Sequence, residues 1–273
     1  MKEKTNKGRA KQRAFLFNVL CMLLFLFGFF LCSTVDARHL KLYGDKRPAT
    51  GVTWVTYTND FIPSLAIPSS AGDEGNVMYH EIEIETGIMD RWSQSIYFDV
   101  DSQSGSPDPE DNDLKLTLIK TEFNIAVFES KWFYFRLNNE WAFSTGKYTD
   151  PLAQELYSNS IELRPIFTKS VDNFTFILGP GFFYRYEEAP IGLAYFYANA
   201  VQYNISDKIT TGIEFHGDMG DMRVSSSQAH YVVPNIDIQL SKMLVVSVGI
   251  GFGLNNQSEE YTFRNALQVG YQW

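Results

Sequence analysis

Residues 261–273 read YTFRNALQVGYQW. Tyr261, Phe263, Leu267, Val269, Tyr271 and Trp273 share one parity, while Thr262, Arg264, Ala266, Gln268, Gly270 and Gln272 share the other. Successive side chains on a strand point to opposite faces, so this is a strand with one apolar and one polar face. The stretch before it, LVVSVGIGFGL at 244–254, repeats the rhythm. Leu244, Val246, Val248, Ile250, Phe252 and Leu254 lie on one side, and Ser247, Gly249, Gly251 and Gly253 on the other.

Toward the N-terminus the same period recurs over 51–60, 77–88, 92–101, 114–129, 132–143, 156–167, 173–186, 191–205, 208–217 and 229–240. With 243–254 and 261–273 these make twelve expected strands. The connections alternate in length. Met89-Asp90-Arg91, Ser130-Lys131, Lys169-Ser170-Val171-Asp172, Ser206-Asp207 and Ser241-Lys242 are tight, and polar stretches such as 61–76, 102–113 and 144–155 separate them. A soluble sandwich has no reason to alternate its loops in this way, whereas an outer-membrane barrel has short periplasmic turns and longer outer loops. Aromatic residues recur near strand ends on the apolar parity: Trp92, Phe133, Trp141, Phe143, Tyr157, Phe174, Tyr186, Tyr195, Tyr203 and Trp273. Rings at both ends of the strands suit two interfacial girdles. The fold expected is all-β, an antiparallel up-and-down transmembrane β-barrel of about twelve strands over residues 38–273. In the fourth strand Leu114, Leu116 and Leu118 change parity relative to Phe123, Ile125 and Val127, which places a bulge near Ile119–Thr121.

Composition narrows the function. Aromatic residues are 15% of the 273 positions and charged residues only 20%, yet no segment after the first forty is apolar enough to cross a bilayer as a helix. The formal net charge of −9 argues against nucleic acid as a partner. Cys21 and Cys32 are too few for a disulfide framework.

The first 37 residues read as an address. Lys2, Lys4, Lys7, Arg9, Lys11 and Arg13 precede an apolar run from Ala14 to Cys32, and Val35 and Ala37 occupy the positions of a signal-peptidase site. An uncleaved anchor is the rival reading. Cleavage after Ala37 removes both cysteines, six cations and two acids, leaving an exported chain with a net charge of −13.

The strand from Tyr261 to Trp273 resembles the C-terminal assembly signal of Gram-negative outer-membrane proteins, with Leu267, Val269, Tyr271 and Trp273 as its apolar face. The wider segment Tyr203–Trp273 resembles a broad family of outer-membrane transporters that includes barrels associated with phenol meta-pathway degradation. The resemblance lies in strand rhythm and glycine placement. It implies an outer-membrane location, insertion by the barrel-assembly machinery, and outer-membrane lipid and lipopolysaccharide as surroundings.

With the apolar parity toward lipid, the other parity faces a lumen. It carries eleven acids, Glu81, Glu83, Glu85, Asp99, Asp101, Glu122, Glu140, Glu162, Glu214, Asp218 and Asp237. Against them stand Lys120, Arg136, Arg164, Arg185 and Arg264, with His216 also inward. Such a lumen is either a salt-bridged filling or a narrow pore whose excess charge favours cations among small solutes. Glu81, Glu83 and Glu85 share one face of one strand, so they need counter-charge, which either arginines on neighbouring strands or a cation or cationic solute supplies.

Two other classes were weighed. An outer-leaflet lipid hydrolase needs a hydroxyl nucleophile and a histidine base. His216 beside Asp218 and Asp221, with Ser225, Ser226 and Ser227 following, supplies the residue types without a nucleophile motif, and His230 falls on the opposite parity. A structural or adhesive barrel would want longer outer loops. The acidic loop from Asp99 to Asp113 does not match calcium-loop spacing. No catalytic residue, metal or cofactor is assigned.

Overall fold

The computed structural model describes residues 48–63, 76–104, 114–145, 159–186, 192–221, 229–254 and 261–273. Residues 1–37, Tyr157 and Ser225–Ser227 lie outside the described residues, as does most of the acidic loop. Thirteen strand segments form one antiparallel sheet: β1 (Val52–Ile62), β2 (Asn76–Met89), β3 (Trp92–Ser104), β4 (Lys115–Glu129), β5 (Phe133–Ser144), β6 (Ser160–Val171), β7 (Phe174–Leu178), β8 (Pro180–Arg185), β9 (Gly192–Ser206), β10 (Ile209–Asp221), β11 (Ala229–Ser241), β12 (Leu244–Gly253) and β13 (Tyr261–Gln272). β7 and β8 are two halves of one strand, since each pairs with β6 on one side and β9 on the other. The sheet closes where β1 pairs with β13, from Val52 opposite Gln272 to Phe61 opposite Phe263. The result is a closed barrel of twelve antiparallel strands, which has no free edge.

Local chemistry explains the short turns. At three of them a serine hydroxyl accepts the backbone N–H that the turn leaves unpaired: Ser130 from Phe133 at 3.0 Å, Ser206 from Ile209 at 3.2 Å and Ser241 from Met243 at 3.2 Å. Asp172 adopts the left-handed conformation, with φ of 53°, in the two-residue turn between β6 and β7. The sixth strand therefore runs to Val171, four residues beyond its expected end. Lys169 and Ser170 read as turn residues, yet Lys169 pairs with Phe133 and Phe176 in the ladder, and the Ser170 and Thr175 hydroxyls lie 3.2 Å apart. A lysine at a strand end can lay its stem along the apolar face and keep its ammonium in water.

The bulge in β4 lies earlier than expected. Asp99 pairs with Leu118 and Val100 with Leu116, so Thr117 is the extra residue, and both Thr117 and Leu118 point inward. A second irregularity falls at Val127, between Ala126 opposite Arg136 and Phe128 opposite Phe135. The seventh strand, expected to be continuous, breaks at Gly179. A Cβ there would stand 2.8 Å from the Ala198 carbonyl oxygen, so only glycine fits this close approach to β9.

The outward parity is apolar and exposed around the barrel, with Val55, Ile84, Ile96, Ile125, Phe176, Ile213, Val248, Ile250, Leu267 and Val269 among its residues. Phe133, Phe174, Tyr203 and Trp273 ring the end with short turns, and Trp141, Phe143 and Tyr195 ring the other. Among the described residues, no helix is long and apolar enough to cross a membrane.

Candidate functional site: the barrel interior

Period two sends every expected lumen residue inward, and the closed sheet gathers them. Glu81, Glu83 and Glu85 on β2 are half-buried. Lys120 bonds Glu81 at 2.7 Å and lies 2.8 Å from Asp99. A lysine on β4 thus supplies counter-charge to the carboxylate ladder. The other two ladder carboxylates are held by neutral donors on β3 and β4. Glu83 Oε1 accepts from Ser95 Oγ at 3.0 Å and from the Tyr97 hydroxyl at 2.7 Å. Glu85 Oε1 accepts from Ser93 Oγ at 2.7 Å. Lys120 also lies 5.0 Å from the centre of the Tyr97 ring, so one side chain supports two rungs of the ladder.

A second cluster centres on Arg164 of β6. Its guanidinium is 3.3 Å from Glu162 and 4.0 Å from Glu122, and it packs 5.5 Å from the Phe196 ring. Asn124 donates to Glu122 at 2.6 Å, and Asn138 donates to Asn124 at 3.1 Å. A third group lies on β10 and β11. His216 Nε2 is 2.6 Å from Glu214 Oε2, and Asn235 donates to the other oxygen of the same carboxylate. Arg136 is buried on β5, Asp237 is half-buried opposite Ser247, and Arg185 stands apart with its guanidinium 4.7 Å from the Phe183 ring.

One ion pair has a partner that the reading of the sequence missed. Arg264 of β13 donates through Nε and Nη2 to Asp60 of β1, at 2.8 and 2.9 Å. Parity would have placed Asp60 inward, but it sat at the last residue of the expected first strand. Asn124, Asn138, Ser93, Ser95 and Tyr97 were also overlooked, because an inventory of charges leaves out neutral donors.

Exposure divides the interior in two. On β3 to β6, Ser93, Ser95, Asp99, Glu122, Asn138 and Arg164 are each at most 1% exposed, so this wall is a packed polar network. Toward the short-turn end of β11, β12, β13, β1 and β2, the inward residues Asp237, Ser247, Ala266, Gln268, Thr56, Thr58, Glu83 and Glu85 are half-buried, whereas farther along these strands Asn235, Thr262, Arg264, Asp60 and Tyr79 are buried. Gly249 thins this wall further. Solvent therefore reaches the interior from the short-turn end of this wall, beside the packed network on β3 to β6.

Among the described residues, the histidines fall in three separate places. His216 faces inward at 5% exposure against Glu214. On the outer face His80 meets the Tyr57 hydroxyl at 2.8 Å, and His230 meets the Tyr197 hydroxyl at 2.9 Å. Among the described residues, no group of three or more His, Cys, Asp or Glu side chains is placed to hold a metal ion.

No family model matches the chain, and no curated protein matches it in sequence. Solved structures do match in shape. The NanC porin is similar over 80% of this chain and all of its own, with a TM-score of 0.56 and 8% identity. An outer membrane channel from Pseudomonas putida F1 is similar over 87% of this chain and all of its own, with a TM-score of 0.58 and 11% identity. The KdgM porin is similar over 81% of this chain and 99% of its own, with a TM-score of 0.50 and 11% identity. At these identities the likeness is one of fold: the chain folds as the barrels of outer-membrane porins and channels do.

Proposed function

We propose that this protein is a narrow diffusion pore of a Gram-negative outer membrane, passing small solutes with a preference for cations. The observation that carries this reading is the charge of the interior. Twelve inward carboxylates, Asp60 now included, stand against Lys120, Arg136, Arg164, Arg185 and Arg264 among the described residues, with Lys115 exposed at the rim. In a confined channel an excess of carboxylates concentrates cations and repels anions. The half-buried residues toward the short-turn end of β11–β2 give solutes access to the interior, and Glu83 and Glu85 of the carboxylate ladder lie there. Residues 1–37 act as the export signal, and the barrel sits among outer-membrane lipid and lipopolysaccharide. The apolar outer face and its aromatic rings support that setting, as do the channel folds it shares. The resemblance of Tyr203–Trp273 to outer-membrane transporters, among them barrels associated with phenol meta-pathway degradation, supports transport as the role. An outer-leaflet hydrolase is disfavoured by His216, which is buried inside the barrel rather than on its lipid-facing surface.

The test is electrical. In a planar bilayer separating unequal KCl solutions, the unmodified protein should conduct with a reversal potential of the cation-selective sign. Changing Glu81, Glu83 and Glu85 together to Gln should move that potential toward the non-selective value while leaving the yield of folded protein close to normal. Silence from well-folded protein, or anion preference before any substitution, would overturn the reading.

A further inference from the structure

Every neighbouring pair of strands in this barrel is joined directly by a turn or loop, except β1 and β13. A connecting turn helps fix strand register, so this pair must find its register without one. Alternation of apolar and polar residues gives only part of the answer. A slip of one residue turns every side chain to the wrong face and is rejected, but a slip of two restores the faces and goes unpunished by that pattern.

The side chains at this junction supply what the pattern lacks. Asp60 and Arg264 are ladder partners and form the two-pronged ion pair inside the barrel, both buried. On the outer face of the next rung, Asn265 donates to Asn59 at 3.3 Å, and these too are ladder partners. Three rungs further on, Gln268 donates to Thr56 at 3.2 Å, again between partners. A slip of two would set Arg264 opposite Thr58 or Ile62, and Asp60 opposite Thr262 or Ala266. Either slip buries a carboxylate and a guanidinium away from their matched partners, the costliest mismatch available in this interior.

We propose that Asp60–Arg264, assisted by Asn59–Asn265 and Thr56–Gln268, is the latch that selects the register in which the barrel closes. Paired cysteines report register directly. Cys21 and Cys32 both precede the barrel, and each is replaced by Ala so that no native thiol competes. The outward partners Val55 and Val269 report the native register, and Val55 with Leu267 or with Tyr271 reports slips of two. With the latch intact, oxidation should link only Val55→Cys to Val269→Cys. In the D60L/R264M background, which removes both charges, the slipped pairs should link to a comparable extent. The charge-reversed background D60R/R264D should return linking to the native pair. Native-only linking in D60L/R264M would overturn the proposal, and so would slipped linking with the latch intact. If D60L/R264M gives no folded barrel, D60R/R264D decides: native-only linking there supports the latch, and slipped linking or no folded barrel refutes it.

Discussion

Replacing Arg164 with Met should lower the unfolding free energy by about 3–5 kcal/mol, the usual cost of removing one partner from a buried ion pair. Arg164 is 1% exposed, and its guanidinium faces Glu162 and Glu122, the latter also 1% exposed. Its loss strands a carboxylate that water cannot reach from the packed side of the barrel. Met preserves most of the stem but not the guanidinium over the Phe196 ring, so the deficit includes that cation–π contact as well as the ion pair. The double variant R164M/E122Q should recover part of the loss, because the amide carries no charge to strand. Urea unfolding followed by Trp fluorescence and by the heat-dependent shift in gel mobility gives both values. A single variant within about 0.5 kcal/mol of the unmodified protein, the range usual for an unremarkable surface substitution, would mean that the network around Glu122 is not load-sharing.

Deleting Trp273 should sharply reduce the folded, heat-modifiable protein in the outer membrane and leave more of the chain to periplasmic proteases. Trp273 donates its backbone N–H to the Gly51 carbonyl at 2.9 Å and its indole N–H to Thr53 at 3.2 Å, so it ties the last residue to the start of β1. Its ring stands 67% exposed on the outward face, in line with Leu267, Val269 and Tyr271. That face is the one proposed to be read by the assembly machinery. Trp273→Phe keeps the aromatic face and the backbone bond but loses the indole donor. It should therefore assemble close to normally if the ring is what is recognised. Quantifying the heat-modifiable band in outer-membrane fractions checks both variants, and a normal yield after the deletion would remove the C-terminal strand from any role in assembly.

The fold was legible because alternation holds over about ten residues at a time in a chain with few other signals. Strand 261–273 and strand 244–254 fall within a residue or two of β13 and β12 at every end. The misplacements have local causes. Lys169 and Ser170 carry turn-like chemistry but sit in a ladder that their neighbours hold open. The parity change in β4 shows in the sequence, yet the residue that absorbs it depends on where Asp99 and Val100 find their partners across the strand. The lumen inventory followed from parity alone, while the pairings within it did not. Asp60 and Arg264 are 204 residues apart, and only closure of the sheet brings them together. Nor could the sequence show that the interior is packed along β3 to β6 and reached by solvent toward the short-turn end of β11 to β2. That division depends on long side chains filling one wall, while glycine, threonine and glutamine leave room at the other.

That division is the claim on which the account of transport rests, and accessibility of single cysteines tests it most directly. In protein freed of Cys21 and Cys32 and reconstituted in lipid, Cys at Ser247 and Gln268 should react readily with a small water-soluble thiol reagent. Cys at Glu214, which is inward but 2% exposed, should react slowly, and Cys at Val246, Ile250 and Val269 should be shielded by lipid. Fast labelling confined to Ser247 and Gln268 is the result predicted. Equal labelling of both parities would contradict the membrane barrel itself, and protection of Ser247 and Gln268 along with Glu214 would show an interior filled throughout, with no path for a solute.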